Sequence, residues 1–268
     1  PAPPTLAPVP RGRSKLAPME SFDIVVIGGG VVGVSIACHL ARLGCPRVVL
    51  LERGTLGGGT TAQSSCIVRT HYSVPENVAL AHAGLAVFRD FAAYLGDPEA
   101  DAGYNRCGLM IVAAAGERTT ALRETLAVER SMGVDAQEIS ADEAARIHPL
   151  LNLDDIAAVG WEPDAGYADA HLTLSAFARN ARRHGATLRE GVEVTGLLRN
   201  EAGRVTGVAT AQGVIHAGLV ISAQNIWSRE LAAWAGIEVP LVLSRHAVFT
   251  LEASVPYTRR LPVLKDLA

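Results

Sequence analysis

A strand–turn–helix–strand unit near the start of the chain constrains its fold more than any other feature. The run Phe22-Asp23-Ile24-Val25-Val26-Ile27 enters glycines spaced GxGxxG (Gly28, Gly30, Gly33). An amphipathic stretch follows from Val31 to Leu43, and a second apolar run, Val48 to Leu51, ends on Glu52-Arg53. Each part has a physical reason. The first glycine permits a tight turn, the second lets backbone N–H groups approach a pyrophosphate, and the third lets helix and strand pack closely. The helix N-terminus then offers partial positive charge to the phosphates. Glu52 stands where a carboxylate can accept hydrogen bonds from ribose hydroxyls. The unit predicts a site for the ADP half of a dinucleotide.

With 26 glycines in 268 residues, an isolated triplet of this kind would carry little weight. Here the triplet lies between an apolar strand and an amphipathic helix, and the acid closes a unit of about 30 residues.

The chain is long enough to bury one large core or two modest ones. At 49% hydrophobic and 19% charged, with net charge −3, it has the composition of a globular protein, and nothing in it suggests the basic face that nucleic-acid binding needs. The four cysteines, Cys38, Cys45, Cys66 and Cys107, form no CxxC pair or zinc-ligand spacing, and a reducing cytoplasm is the expected location. The uncharged run Ile24 to Cys38 is too short to cross a membrane, so no span is expected. Residues 1–20 are rich in proline and alanine and precede or include Met19. They read as a disordered leader or a mis-called start.

Further along, Gly57 to Ser65 is a run of small and hydroxyl residues that reads as a loop pressed against something. The pattern predicts helices from Pro75 to Leu95, Glu117 to Met132 and Leu172 to His184. A capping box at Ser140-Ala141-Asp142-Glu143 opens a shorter one. Strands are predicted at Gly108 to Val112, Thr187 to Arg189 and Val192 to Leu197. A hairpin joins Arg204–Thr210 to Gly213–Ala217, and a separate buried strand covers Leu219 to Ala223. Nucleotide-site elements thus alternate with material that belongs elsewhere. The fold class is α/β, a Rossmann-like nucleotide domain over 21–100 and 160–240. It is interrupted by part of an α+β second domain over 101–159 and 241–268.

Five segments in order resemble the FAD-dependent D-amino-acid-oxidase-like family, within it the sarcosine oxidase, dimethylglycine dehydrogenase and glycine oxidase group. They are Phe22 to Arg53, Gly58 to Arg69, Asp164 to His171, Gly191 to Val194, and Val220 to Ser228. The resemblance implies a glutathione-reductase type FAD-binding fold. Gly28, Gly30 and Gly33 would hold the FAD pyrophosphate, with Glu52 and the adjoining Arg53 at the ribose. Thr60, Thr61, Ser64, Ser65, Cys66 and Ile67 would pass along the ribityl chain toward the flavin ring. Val194 would offer its backbone to the adenine, and the strand ending at Ala223 would return to the pyrophosphate. The family usually has Gly where this chain has Asn225, the non-glycine residue most tolerant of left-handed backbone. Trp227 is read as packing rather than as a cofactor contact.

For the substrate, the resemblance points to Arg69, whose planar guanidinium can clamp a carboxylate with two parallel hydrogen bonds. His71 and Tyr72 follow directly and are candidates for the same pocket. In this group an imidazole can instead carry the flavin covalently, and a lone His is more often structural, so His71 stays open, as does His246. The implied activity is oxidation of a small secondary or tertiary amine or amino acid, with electrons passing to oxygen or another acceptor. Two other readings remain: a flavoenzyme oxidising a hydroxy acid or polyol, and a non-catalytic FAD-binding chain that works with a partner subunit. Family members continue well past Ala268, so the chain reads as lacking the C-terminal part of the substrate domain, and no catalytic role is assigned to Lys265.

Overall fold

A computed structural model describes residues 20–252 and 260–267. The proline-rich segment up to residue 19 lies outside the described residues. Its expected boundary shifts slightly, because Glu20 already belongs to the first strand.

Two sheets organise the chain. The larger has six strands in the order β8-β2-β1-β11-β10-β9. Its parallel part consists of β1 (Glu20–Ile27), β2 (Val48–Leu51), β8 (Thr187–Arg189) and β11 (Gly213–Ser222). β9 (Val194–Arg199) and β10 (Val205–Thr210) add an antiparallel meander. Both faces of the parallel part are covered, which explains the unbroken apolar runs. Val26, Val48 and Leu50 face α1 (Val31–Arg42) and α6 (Ala170–Arg183), while Val25, Ile27, Val49 and Leu51 pack with Val208 of the meander, Ile215 of β11 and α7 (Ser228–Trp234).

The smaller sheet runs β12-β4-β6-β5, formed by β4 (Leu109–Ala113), β5 (Gln137–Ile139), β6 (Ala158–Glu162) and β12 (Val263–Asp266). Here too the side chains alternate. Leu109 and Ile111 meet Leu122 and Leu126 of α4 (Glu117–Ser131), whereas Met110 and Val112 meet Ala144 of α5 (Ala141–Ile147). Between the sheets, β3 (Ile67–Val68) pairs antiparallel with β7 (Gly166–Tyr167).

The structure departs from the sequence expectation in two informative places. The helix expected from Pro75 to Leu95 is two, α2 (Pro75–Arg89) and α3 (Phe91–Leu95). Asp90 breaks it, with φ −138° and ψ 59°, and its carboxylate accepts from the Ala93 N–H at 3.3 Å. A short acidic side chain competes with the helix for its own backbone donors, so apolar spacing alone did not show the break. The hairpin strand and the buried strand after it are one continuous β11. It pairs antiparallel with β10 near its start and parallel with β1 along most of its length. Gly218 lies between the two expected strands, and a side chain there would meet only the Asp23 carbonyl, at 3.3 Å.

Elsewhere local chemistry sets the ends of helices. Asp169 accepts from the N–H groups of His171 and Leu172, both at 2.8 Å, and starts α6 two residues before the expected Leu172. Ser140 accepts from the Glu143 N–H at 3.2 Å, one half of the expected capping box. No helix among the described residues is long and apolar enough to cross a membrane.

Candidate functional site

Three parallel strands end side by side, and the glycine turn lies across their ends. Gly28 donates to the Leu51 carbonyl at 2.9 Å, and Ala223 donates to the Ile27 carbonyl at 2.8 Å. Gly28 has φ +109°, and a methyl group on it would lie 2.6 Å from the Ala223 carbonyl oxygen. Only glycine satisfies both the conformation and the approach. Gly33 is tighter: a methyl there would stand 1.9 Å from the Gly28 carbonyl oxygen. It lets α1 rest on the turn, so it supports the cavity from beneath and is not on its wall.

That cavity, about 530 Å³, is lined by Gly28, Gly29, Gly30, Glu52, Arg53, Thr60, Val194, Ala223, Asn225 and Trp227, among others. Glu52 is held by the backbone. One carboxylate oxygen accepts from the Gly29 N–H at 2.6 Å and the other from the Gly54 N–H at 2.8 Å. Each oxygen keeps a further lone pair. Gly30 precedes α1 without a side-chain cap, and the first helical turn has no acid, which leaves a partial positive charge at this end.

Asn225, where a glycine was expected, adopts φ +49°, and its amide donates to the Thr60 hydroxyl at 3.0 Å. The side chain thus ties the last turn of the β11 segment to the arm. Trp227, read from sequence as packing, lies on the cavity wall with the Arg53 guanidinium 4.5 Å from its ring centroid. Arg53, which follows Glu52 in sequence, and Trp227, far along the chain, thus form one cation–π pair.

A second cavity of about 310 Å³ is lined by Val31, Thr61, Ser64, Cys66, Ile67, Arg69, Tyr72, Leu85, Phe88 and Asp169, among others. Gly30 and Thr60 line the first cavity while their chain neighbours Val31 and Thr61 line the second, so the two are adjacent across the start of α1. The Thr61 hydroxyl accepts from the Val31 N–H at 3.0 Å and fixes that boundary. Cys66 sits at φ +53°, and its N–H donates to Ser64 Oγ at 3.0 Å, a local bond that holds the strained turn. Ser65 is exposed and lines neither cavity.

Arg69 and Tyr72 both line the second cavity, with the guanidinium carbon 4.3 Å from the Tyr72 ring centroid. Arg69 Nη1 donates to the His71 carbonyl. His71, expected beside Tyr72, does not line that cavity. It turns the opposite way and is buried, with Nδ1 2.8 Å from Glu129 Oε1 and 3.8 Å from Glu162 Oε1. Two carboxylates in the interior attract the imidazole more strongly than a mainly apolar pocket can. Glu162 also accepts from the Thr70 N–H at 2.9 Å and from the Thr70 hydroxyl at 2.7 Å. Burial pushes the Glu162 carboxyl above its ordinary value, opposed by the two Thr70 donors. Burial also pulls the Lys265 ammonium below the lysine range; Arg69 adds to this, and Glu129 and Glu162 oppose it. His246 is exposed and lies on neither cavity wall.

Thr70, Glu129 and Glu162 were not singled out from sequence, although a signal existed. Glu129 falls on the same buried stripe of α4 as Thr119, Leu122 and Leu126, and Glu162 follows the inward alternation of β6. A charge at a core position is the readable sign.

Comparison with known proteins gives the family and the fold. The sequence profile of the family described as FAD dependent oxidoreductase (DAO) matches residues 23–266. The chain is 33% identical over 246 residues to 4-methylaminobutanoate oxidase (formaldehyde-forming) of Paenarthrobacter nicotinovorans, covering 91% of this chain and 29% of that protein. It is 32% identical over 231 residues to sarcosine oxidase subunit beta of an Arthrobacter species, covering 84% and 56%. Among solved structures, L-proline dehydrogenase from P. horikoshii superposes with TM-score 0.76 at 31% identity, covering 82% of this chain and 57% of that one. Glycine oxidase from Bacillus cereus gives TM-score 0.68 at 28% identity, covering 80% and 58%. The chain therefore spans only part of each of these proteins.

Proposed function

Because the chain belongs to the family of FAD-dependent oxidoreductases, we propose that it holds FAD across the two adjacent cavities and oxidises a small amine or amino acid bearing a carboxylate. The observation that carries this reading is the path from the glycine turn through Thr60 and Thr61 to Arg69. It joins a phosphate cradle to a mainly apolar pocket that contains a cation. The cradle fits the cofactor, since methyl groups at Gly28 and Gly33 would clash with backbone and the start of α1 carries no acid.

Gly28, Gly30 and the first turn of α1 would take the pyrophosphate, with Gly33 supporting them from below. Glu52 would accept from ribose hydroxyls with the lone pairs that Gly29 and Gly54 leave over. Arg53 and Val194 would stand at the nucleoside end, Ala223 would close on the phosphates, and the arm Thr60, Thr61, Ser64, Ser65, Cys66 and Ile67 would run toward the substrate. When bound, FAD supplies a two-electron acceptor for the hydride that leaves the carbon next to an amine nitrogen. Arg69 would grip the substrate carboxylate with the donors that its bond to His71 leaves over, and Tyr72 would hold the guanidinium in place by its ring face. Leu85, Phe88 and Ile67 would keep water from that pocket while the amine is held. In the same reading, segments 21–100 and 160–240 form the FAD-binding unit, and 101–159 with 241–268 form part of the substrate unit. Oxygen or another acceptor would take the electrons. A partner subunit belongs to the proposal because one relative is named a beta subunit.

The test is reduction of protein-bound flavin, followed by its absorbance, with sarcosine, dimethylglycine, proline, 2-hydroxyglutarate and glycerol 3-phosphate offered separately. Bleaching by the amines supports the reading, and bleaching by the hydroxy acid or polyol alone overturns it. Arg69→Ala should raise KM for carboxylated amines about tenfold or more while changing it little for uncharged amines, as loss of a charge-assisted pair requires. Equal changes for both classes would remove Arg69 from the carboxylate role.

A further inference from the structure

Residues 69–72 present alternate sides to two different environments. Arg69 and Tyr72 face the second cavity, whereas Thr70 and His71 between them are 1% and 5% exposed. Each of the buried pair meets a carboxylate from the smaller sheet and its helix. Glu162, at the end of β6 and 2% exposed, accepts both Thr70 donors through one oxygen. Glu129, on α4 and 0% exposed, has its Oε1 2.8 Å from His71 Nδ1.

Two carboxylates at this depth are costly, and apolar residues of similar size would often serve stability as well or better. Leu122, Leu126 and Ile111 pack the surrounding core, and both carboxylates also act electrostatically on the Lys265 ammonium. Their close contacts fall on Thr70 and His71, between the two cavity-facing side chains. A strand or helix end would have provided that backbone with partners of its own, but β3 stops at Val68 and α2 does not begin until Pro75.

We infer that Glu162 and Glu129 are positioning residues for the substrate pocket. Acting through Thr70 and His71, they fix the chain so that Arg69 and Tyr72 stand together on the cavity wall. Arg69 closes the same small loop from the other side, since its Nη1 donates to the His71 carbonyl. A shift of Thr70 therefore moves the guanidinium directly. This inference rests on the reading of Arg69 as the carboxylate clamp. The three ionisable groups also form a donor set for a divalent cation, with an imidazole nitrogen and two carboxylates whose atoms lie within 4.8 Å of one another. The experiment must therefore separate a scaffold from a metal site.

The experiment uses the flavin-loaded full-length protein with propionate, a short carboxylate that carries no amine and cannot be oxidised by hydride loss next to nitrogen. Its dissociation constant is read from the change in flavin absorbance. Metal content is measured on the same samples. Glu162→Leu should weaken propionate about tenfold or more, as mispositioning one half of a bidentate charged pair would, with flavin content unchanged. Glu162→Gln keeps an oxygen that can accept from Thr70 and should restore affinity to within about threefold. Thr70→Val, which removes one of the two donors and is milder for folding, should weaken propionate by a smaller factor.

If Arg69→Ala weakens propionate but Glu162→Leu and Thr70→Val do not, the positioning inference fails alone. If Arg69→Ala has no effect, or the unaltered protein does not bind propionate, the carboxylate reading fails and takes this inference with it. Flavin loss in step with propionate loss would show a merely structural role. One equivalent of zinc or manganese, lost in Glu129→Gln, would replace the scaffold with a metal site. Either result overturns the inference.

Discussion

Replacing Gly33 by Ala sets two effects of opposite sign against each other. Within a helix, Ala is favoured over Gly by about 1 kcal/mol, so local propensity predicts a gain. The structure predicts a loss. A methyl carbon on Gly33 would lie 1.9 Å from the Gly28 carbonyl oxygen, 3.1 Å from its carbon, and 3.2 Å from the Ala223 methyl. An ordinary carbon–oxygen contact needs about 3.3 Å, so backbone would have to move by about 1.4 Å to make room. No flexible side chain can yield here; either α1 lifts or the glycine turn opens. Overpacking costs about 1–3 kcal/mol, and a deficit of this size between backbone atoms belongs at the upper end. After the propensity gain is subtracted, the net loss is about 2 kcal/mol, which in a chain of this length lowers Tm by about 4–8 °C.

Because the movement displaces the N–H groups at the start of α1, bound flavin should also decline. The assay is thermal unfolding with and without added FAD, together with the flavin-to-protein absorbance ratio after gel filtration. Gly84→Ala is the control for helix propensity alone, read as Tm without FAD because Gly84 lines the second cavity. It lies in α2 with no atom within 4 Å of the added carbon, and should gain up to about 1 kcal/mol. A Gly33→Ala protein with a raised Tm and undiminished flavin would refute the close approach of α1 to the turn.

Glu52→Ala leaves two backbone N–H groups, those of Gly29 and Gly54, without their present acceptor. It should cost about 1–3 kcal/mol and release FAD on gel filtration; retention of flavin at the wild-type ratio would contradict the assigned role. The Glu162 carboxyl is held above its ordinary value by burial. A carboxyl raised on folding takes up a proton more readily when folded. Its contribution to stability is therefore fully present below the unfolded value and is lost as pH rises through the folded one. Denaturant midpoints of wild type minus those of Glu162→Gln should accordingly fall as pH rises above the ordinary carboxylate range. A flat or rising difference would show that the carboxyl is not desolvated.

Sequence made the first cavity legible because its demands are local. Gly28, Gly30, Gly33 and Glu52 lie within one strand–helix–strand unit, and each answers to a backbone conformation or a close approach that few residue types permit. Of the second cavity's candidates, Arg69 and Tyr72 do stand on its wall, while His71 stayed open in the sequence, because which way a side chain turns there depends on Glu129 and Glu162, far along the chain. An acid in a helix such as α4 ordinarily reads as a solvated face. Only its spacing from Leu122 and Leu126 could have placed it inside. The α2–α3 break was missed for a related reason, since one Asp side chain outweighed a regular apolar pattern. Asn225, by contrast, does adopt the left-handed backbone that its residue type allows.

The single run of β11 against β1 has a consequence for the order in which this protein can assemble. Gly28 closes on Ala223, and Ile27 pairs with Ser222, across nearly the whole intervening chain. On the ribosome the glycine turn would emerge well before the third strand end that completes it, which follows most of both sheets. Such a closure is slow to find, because contacts distant in sequence must wait for the chain between them. It also means that a dinucleotide gripping the turn would clasp the first and last parts of that span together. Binding at one end of the fold would then protect from proteolysis even the loops that it never touches.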